Sequence, residues 1–239
     1  MPLPAEVLAA TLRADPGRPR VTAYDDGTGE RIELSAKVLA TWVSKAANLL
    51  QDDADAGPGR AVGLDLPAHW RACYWALAVW SVGATLALGR SARAAEILVT
   101  DSPARAADAS GYAVLVTPAA LARFNPDTPP GVVDEARELA TYGDRFDPYA
   151  APAPASRALD PGDGRPGPAY RDVVDPARAR DWGPHPRVLL TGDLHRQLLD
   201  ALAAWAADGS VVMIRGGGDG ASVDQTARLD AERVTVRLT

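Results

Sequence analysis

Apolar residues recur along the chain at two different spacings, and these spacings predict helices and strands that follow one another. Between Ser35 and Leu50 the apolar positions repeat every three or four residues, which indicates an amphipathic helix capped by the Ser35 hydroxyl. Residues 61–66 form a short apolar run that is typical of a buried strand. Residues 70–88 are apolar almost all round, so they predict a helix packed against a sheet.

The same two spacings extend over most of the chain and predict the class of fold. Further helices are predicted at 4–14, 103–109, 132–139, 194–207 and 223–232, and further strands at 20–24, 31–34, 97–100, 112–117, 187–191, 210–214 and 234–238. The first two of these strands flank a hairpin-like turn. From Ala61 onward strands and helices alternate, which predicts a three-layer αβα fold of the α/β class with a largely parallel sheet.

A segment rich in proline and glycine interrupts this alternation between residues 147 and 186. Many of the 20 prolines lie there, and the apolar periodicity is weak. Long segments of this kind within a domain are usually functional loops or disordered inserts. The sequence therefore predicts one domain over residues 1–239, with a Pro/Gly-rich insert or loop at 147–186.

Composition narrows the range of partners. The net charge of −6 argues against a general nucleic-acid surface. No apolar run reaches the roughly 18 residues of a membrane span, the first residues lack the regions of a signal peptide, and the single Cys73 allows no internal disulfide. We expect a cytoplasmic protein without nucleic-acid or membrane partners and without a metal or cofactor. A protein partner or a homo-oligomer stays open.

A glycine-rich stretch is the strongest candidate for binding that comes from spacing alone. Gly216, Gly218 and Gly220 follow a predicted strand and precede a predicted helix, where such a fingerprint binds a pyrophosphate. A tight surface turn is the preferred interpretation, and a weaker anion site at the helix N-terminus stays open. The histidines show no metal-ligand spacing. Aromatic residues in the apolar helix are interpreted as core, with an acyl pocket as the alternative.

Two stretches of the chain carry short motifs in a recognisable order. The first includes Gly29-Glu30-Arg31-Ile32, Ala47-Asn48-Leu49-Leu50 and Gly57-Pro58-Gly59-Arg60-Ala61-Val62. The second includes Ala201-Leu202 and Glu232-Arg233-Val234-Thr235. This order resembles the large domain of AMP-binding, adenylate-forming enzymes such as acyl-CoA synthetases, and most of all their truncated actinobacterial relatives. The abundance of Ala and Arg suggests a GC-rich genome of that kind.

The resemblance implies where the chemistry of that family would lie, and the sequence departs from the family there. The family's phosphate loop ends in Pro-Lys-Gly, whereas the corresponding region here reads Gly162–Pro168 and has no lysine. Proline lacks the N–H donor that a phosphate cradle uses. The family's nucleotide-binding motifs and catalytic-lysine lid would follow Thr239. The resemblance places a substrate-pocket histidine near His195, with a structural histidine as the alternative.

These departures predict no catalytic residue and no adenylating activity. We expect a degenerate, non-catalytic homologue that acts as a binding or interaction module. The alternative is a partial acyl-adenylating or acyl-CoA ligase subunit that a partner chain completes.

Overall fold

The chain folds into two β-sheets with helices between them. A computed structural model describes residues 1–216 and 225–238. The strands are β1 (Pro19–Asp25), β2 (Glu30–Ser35), β3 (Ala61–Asp65), β4 (Thr85–Ala87), β5 (Ile97–Thr100), β6 (Tyr112–Leu115), β7 (Val133–Asp134), β8 (Leu159–Asp160), β9 (Arg187–Leu189), β10 (Ser210–Arg215) and β11 (Val236–Arg237). The helices are α1 (Pro4–Ala14), α2 (Ala36–Asp52), α3 (Trp70–Ser81), α4 (Gly89–Ala94), α5 (Pro103–Ala107), α6 (Glu135–Glu138), α7 (Leu194–Ala206) and α8 (Gln225–Ala231).

Parallel pairing dominates both sheets. The first sheet has the order β11-β9-β10-β1-β2, and among its described strands only β2 runs antiparallel to its neighbour. The second sheet has the order β7-β6-β5-β3-β4-β8 and is parallel throughout its described pairs. The predicted α/β class with largely parallel strands is confirmed. The strands are divided between two sheets instead of one, because β1 pairs with the distant β10 and not with β3.

Alternate residues of the strands pack into different clusters, and this reveals the order of the layers. Val211 of β10 lies in the central core, whereas its neighbour Val212 packs with Leu229 of α8. Val114 of β6 also faces the central core, and Leu115 packs on the opposite side with α5. The central core contains buried side chains of α1, α2, α3 and α7. These helices therefore lie between the sheets, and α5 and α8 cover the outer faces.

Two predicted helices are shorter than their apolar patterns indicated. The helix predicted for residues 70–88 ends at Ser81, because Gly83 adopts a φ of +81°, and the last residues of that range form β4. A buried parallel strand is apolar on both faces, so the pattern did not separate it from the helix. The helix predicted for residues 132–139 begins only at Glu135, after β7.

The segment 147–186 packs against the edge of the all-parallel sheet. It contributes β8, which pairs with β4. The Tyr170 hydroxyl is buried and donates to the Ala84 carbonyl at 2.7 Å. The Ala158 carbonyl accepts a hydrogen bond from the Trp80 indole at 2.8 Å. These contacts attach the segment to α3 and β4.

Candidate functional site

An open cavity of about 510 Å³ lies where the segment 147–186 meets the N-terminal end of α7. Its walls come from the loop Pro161–Pro168, from residues 172–178, and from Asp193, His195 and Leu199. A cavity of this size can hold a small molecule. The structure thus brings together two features that the sequence indicated separately, the Pro/Gly-rich segment and His195.

His195 lies in the first turn of α7. The Asp193 carboxylate caps this helix by accepting the Arg196 backbone N–H at 2.9 Å. The Nε2 atom of His195 is buried and has no hydrogen-bond partner among the residues that the structure describes. A buried polar atom without a partner costs free energy, and burial keeps this nitrogen out of reach of a ligand in the open cavity.

The loop Pro161–Pro168 uses two of its backbone donors internally. The Gly162 N–H donates to the Asp160 carboxylate at 3.0 Å, and the Arg165 N–H donates to the Asp163 carboxylate at 2.9 Å. The Arg165 N–H also holds the pKa of Asp163 below its usual value. The two prolines that follow have no N–H to offer. At Gly162 and Arg165 the loop therefore presents carboxylates where a phosphate cradle would present free amides.

Neither lysine of the chain lines this cavity. Lys45 lies on α2, donates to the Ala140 carbonyl at 2.9 Å and pairs with Asp144 at 2.7 Å. Lys37 is exposed on the same helix. The cavity thus lacks the ammonium group that a phosphate loop uses to hold its anion.

Carboxylates outnumber guanidinium groups in the cavity walls. The charged groups are the carboxylates of Asp163, Asp172, Asp175 and Asp193 and the guanidinium groups of Arg165 and Arg178. Arg165 pairs with Asp163 at 2.8 Å, within the cavity. Arg178 pairs at 2.7 Å with Asp200, which does not line the cavity. The walls are therefore negative on balance.

Gly216, the one glycine candidate within the described residues, does not join this cavity. Gly216 follows β10 with a φ of +86°, and a Cβ atom there would lie 3.0 Å from the Gly27 nitrogen. Gly216 is thus packed against the turn after β1, and it is absent from the cavity walls. Gly218 and Gly220 lie outside the described residues.

Sequence reasoning missed a cluster of charged groups at the carboxyl ends of strands from both sheets. Arg215 ends β10 and lies 3.9 Å from Asp25, which ends β1. Burial, together with the charges of Arg71 and Arg215, lowers the pKa of His69 to about 4. Burial also raises the pKa of Asp101, which follows β5. The sequence offered one signal for this cluster, namely polar residues that directly follow buried strands. It could not show that these residues lie close together, because that depends on how the two sheets pack.

Neither a metal site nor a membrane-spanning helix finds support in the described part of the chain. No group of three or more His, Cys, Asp or Glu residues within 1–216 and 225–238 is arranged to hold a metal ion. None of the helices within those ranges is both long enough and apolar enough to cross a membrane.

Comparison with known proteins gives one relative in sequence and several in structure. No protein-family model matches the chain. A protein of Mycobacterium tuberculosis (strain ATCC 25618 / H37Rv), named TIGR03089 family protein, is 35% identical over 243 residues, which cover 98% of this chain and 96% of the relative.

The structural relatives share the fold at low sequence identity. The inhibitor-bound N-terminal domain of FACL13 from M. tuberculosis matches with a TM-score of 0.70 at 13% identity, over 98% of this chain and 62% of that one. The nonribosomal peptide synthetase FmoA3, bound to α-methyl-L-serine-AMP, matches with a TM-score of 0.68 at 20% identity, over 98% of this chain and 26% of that one. The chain thus spans less than two thirds of either structure.

Proposed function

This chain belongs to the TIGR03089 family, and from that premise we propose that it is a non-catalytic relative of the adenylate-forming enzymes that acts as a binding module. Its fold resembles the N-terminal part of those enzymes. Here the loop beside the His195 cavity carries carboxylates and no lysine.

The hydrogen bonding of the loop Pro161–Pro168 is the observation that carries the proposal. A nucleotide triphosphate needs free N–H donors and positive charge around its phosphates. Here the N–H groups of Gly162 and Arg165 are engaged by carboxylates, and Arg165 pairs with Asp163. Loss of a single preorganised donor costs an enzyme about 3–4 kcal/mol of transition-state stabilisation. The engagement of these two donors, together with the absence of a lysine, therefore argues against adenylation.

Binding is supported by what the cavity retains. It has the volume for a small molecule, and both apolar and charged side chains line it. We propose that this cavity holds a small-molecule ligand.

Titration calorimetry with ATP and Mg²⁺ tests the non-catalytic part of this proposal. We expect heats no larger than those of dilution, because the loop offers no cradle for the phosphates. Saturable ATP binding that Arg165→Ala abolishes would contradict the proposal. The matched control is Arg13→Ala, which removes an exposed arginine outside the cavity.

A second candidate function is a ligase subunit that a partner chain completes. The partial length of the structural match to FACL13 favours it. The chain spans 62% of the FACL13 N-terminal domain. A partner chain that supplied nucleotide-binding groups and a lid would then complete an acyl-adenylating or acyl-CoA ligase. This candidate predicts that the chain copurifies with such a protein and that the complex catalyses ATP–pyrophosphate exchange. A stable complex without exchange activity would argue against it.

A further inference from the structure

We infer that strand β2 pairs with the β2 strand of a second copy of this chain, so that two copies form a symmetric dimer with one continuous sheet. Such a dimer is independent of whether the chain adenylates an acid. Three features support it: a long free sheet edge, charges that complement one another across a two-fold axis, and exposed apolar side chains beside both ends of the strand.

β2 is the longest of the edge strands in the described sheets. It has six residues, whereas β7, β8 and β11 at the other edges have two each. An edge strand presents unpaired N–H and C=O groups, and a very short edge is one way in which proteins avoid pairing with other chains. Among the described residues, no backbone-to-backbone hydrogen bond joins β2 to any strand except β1. Its outer backbone groups are therefore available to another strand.

Two charged residues of opposite sign flank the middle of this edge. Arg31 and Glu33 lie on either side of Ile32 and on the same face of β2, and their side chains are 44% and 38% exposed. Charges on an edge strand prevent pairing where like charges meet. Here, two copies that pair antiparallel with Ile32 opposite Ile32 place each Arg31 opposite the partner's Glu33. This register forms two equivalent ion pairs.

Exposed apolar side chains lie beside the two ends of β2. Val38 lies on α2, three residues after the strand ends, and is 41% exposed. Leu121 is 92% exposed and follows Ala120, whose N–H donates to the carboxylate of Glu30 at 3.3 Å. Glu30 is the first residue of β2. A single copy thus leaves one apolar side chain in solvent near each end of the strand.

These two apolar residues lie on the same side of the sheet. α2 packs in the layer between the sheets, and the Ala119 carbonyl accepts a hydrogen bond from Arg71 of α3, in the same layer. A two-fold axis perpendicular to the sheet preserves its faces and brings the start of one β2 to the end of the other. Leu121 of one copy therefore approaches the partner's Val38, and their contact buries apolar surface that a single copy exposes.

A second copy fits this edge better than an unrelated extended segment does. An unrelated segment would need an acidic residue opposite Arg31, a basic residue opposite Glu33 and apolar groups beyond both ends of the strand. A second copy supplies all of these by symmetry, because an isologous interface uses the same patch twice.

Sedimentation velocity of the full chain, from about 1 μM to about 1 mM, tests the association. We expect a reversible equilibrium between monomer and dimer. Glu33→Arg should weaken dimerisation by about tenfold or more, because two like-charge pairs replace two ion pairs. Leu121→Ala should weaken dimerisation by a smaller factor, since it removes only apolar contact. Both positions are exposed, so neither substitution should disturb the fold of the single copy.

Matched controls make the same changes away from β2. Asp108→Arg reverses one exposed charge at the end of α5, on the outer face of the other sheet. Tyr149→Ala removes an exposed apolar side chain near the far end of α2, where its hydroxyl contacts Asp52. We expect both controls to dimerise as the unmodified chain does.

Cysteine substitutions test the register of the pairing. Residues directly opposite each other in an antiparallel pair have Cβ atoms about 5 Å apart, whereas diagonal neighbours are about 7–8 Å apart. The two Ile32 positions are directly opposite and the two Glu33 positions are diagonal. With oxidised glutathione as the oxidant, we expect Ile32→Cys to form an intermolecular disulfide at least about tenfold faster than Glu33→Cys. Cys73, the one native cysteine, is buried and does not compete.

Three results would overturn the inference. The first is a monomer at every concentration. The second is a dimer whose affinity Glu33→Arg and Leu121→Ala leave unchanged, which would place the interface elsewhere. The third is equally fast cross-linking of the Ile32→Cys and Glu33→Cys variants, which would contradict the register.

Discussion

The guanidinium group of Arg71 lies 2.9 Å from the carboxylate of Glu135, and both side chains are buried. Arg71 also donates to the Ala119 carbonyl at 2.9 Å, and the Tyr74 hydroxyl is hydrogen-bonded to Glu135. The two charged residues come from α3 and α6, which are far apart in the sequence. This pair therefore joins α6 to α3, and the hydrogen bond from Arg71 to Ala119 holds the long connection between β6 and β7.

Removal of one member of this pair should destabilise the fold strongly. Arg71→Met leaves the Glu135 carboxylate buried without its counter-charge, and we expect the free energy of unfolding to fall by about 3–5 kcal/mol. Urea denaturation measures this change. The double variant Arg71→Met with Glu135→Gln buries no charge and should recover part of the loss. A single variant within about 1 kcal/mol of the unmodified chain would show that the pair does not hold α6 onto α3.

Acid should weaken the fold through His69. Its Nδ1 atom accepts the Arg71 backbone N–H at 3.3 Å and caps α3. Burial and the nearby charges lower its pKa to about 4, whereas an unfolded chain has a histidine pKa of about 6.5. The folded state thus binds this proton less tightly. The stabilisation is complete above the unfolded pKa and is lost as the pH falls toward the folded pKa.

Comparison with His69→Asn isolates this contribution. Asn keeps a side-chain acceptor for the cap and does not titrate. Between about pH 7 and pH 4 we expect the unmodified chain to lose about 3 kcal/mol more unfolding free energy than the variant does. Urea denaturation across that pH range provides the values. Equal pH dependence in the two proteins would show that His69 does not titrate with a lowered pKa.

The Pro/Gly-rich segment should contribute to stability through Tyr170. Tyr170→Phe removes the hydrogen bond to the Ala84 carbonyl, and we expect a loss of about 1 kcal/mol. Tyr170→Ala also leaves a cavity in the core and should cost about 3–5 kcal/mol. Denaturant unfolding distinguishes the two. If Tyr170→Ala changed stability by less than about 0.5 kcal/mol, the segment would be a surface loop without a structural role.

The sequence predicted most elements because their periodicity reports which face is buried. The Ser35 cap is one example, since its hydroxyl accepts the Val38 N–H at 3.2 Å as expected. Periodicity says nothing of which strands become neighbours. The pairing of Val21 with Val211 divides the strands between two sheets, and no local signal encodes a contact over that separation. The Gly83 turn was missed for a related reason, because apolar residues continue on both sides of it.

The candidate site was only partly predictable. A resemblance to adenylate-forming enzymes drew attention to His195, and composition drew attention to the segment 147–186. Their contact across one cavity required the three-dimensional fold, since the segment has no periodicity from which to place it. The charged groups around Arg215 were missed because no local signal places them together. Arg215 and Asp25 meet through the β1–β10 pairing within one sheet, and Asp101 comes from the other sheet.

ATP–pyrophosphate exchange with a panel of aliphatic, aromatic and amino acids tests the proposed absence of adenylation most directly. The purified full chain is assayed beside an active adenylation domain at equal concentration, with protein-free reactions as the baseline. We expect exchange at the baseline for every acid, because carboxylates engage two amides of the loop Pro161–Pro168 and neither lysine of the chain lines the cavity beside it. Acid-dependent exchange well above that baseline, by the isolated chain, would contradict the proposed function.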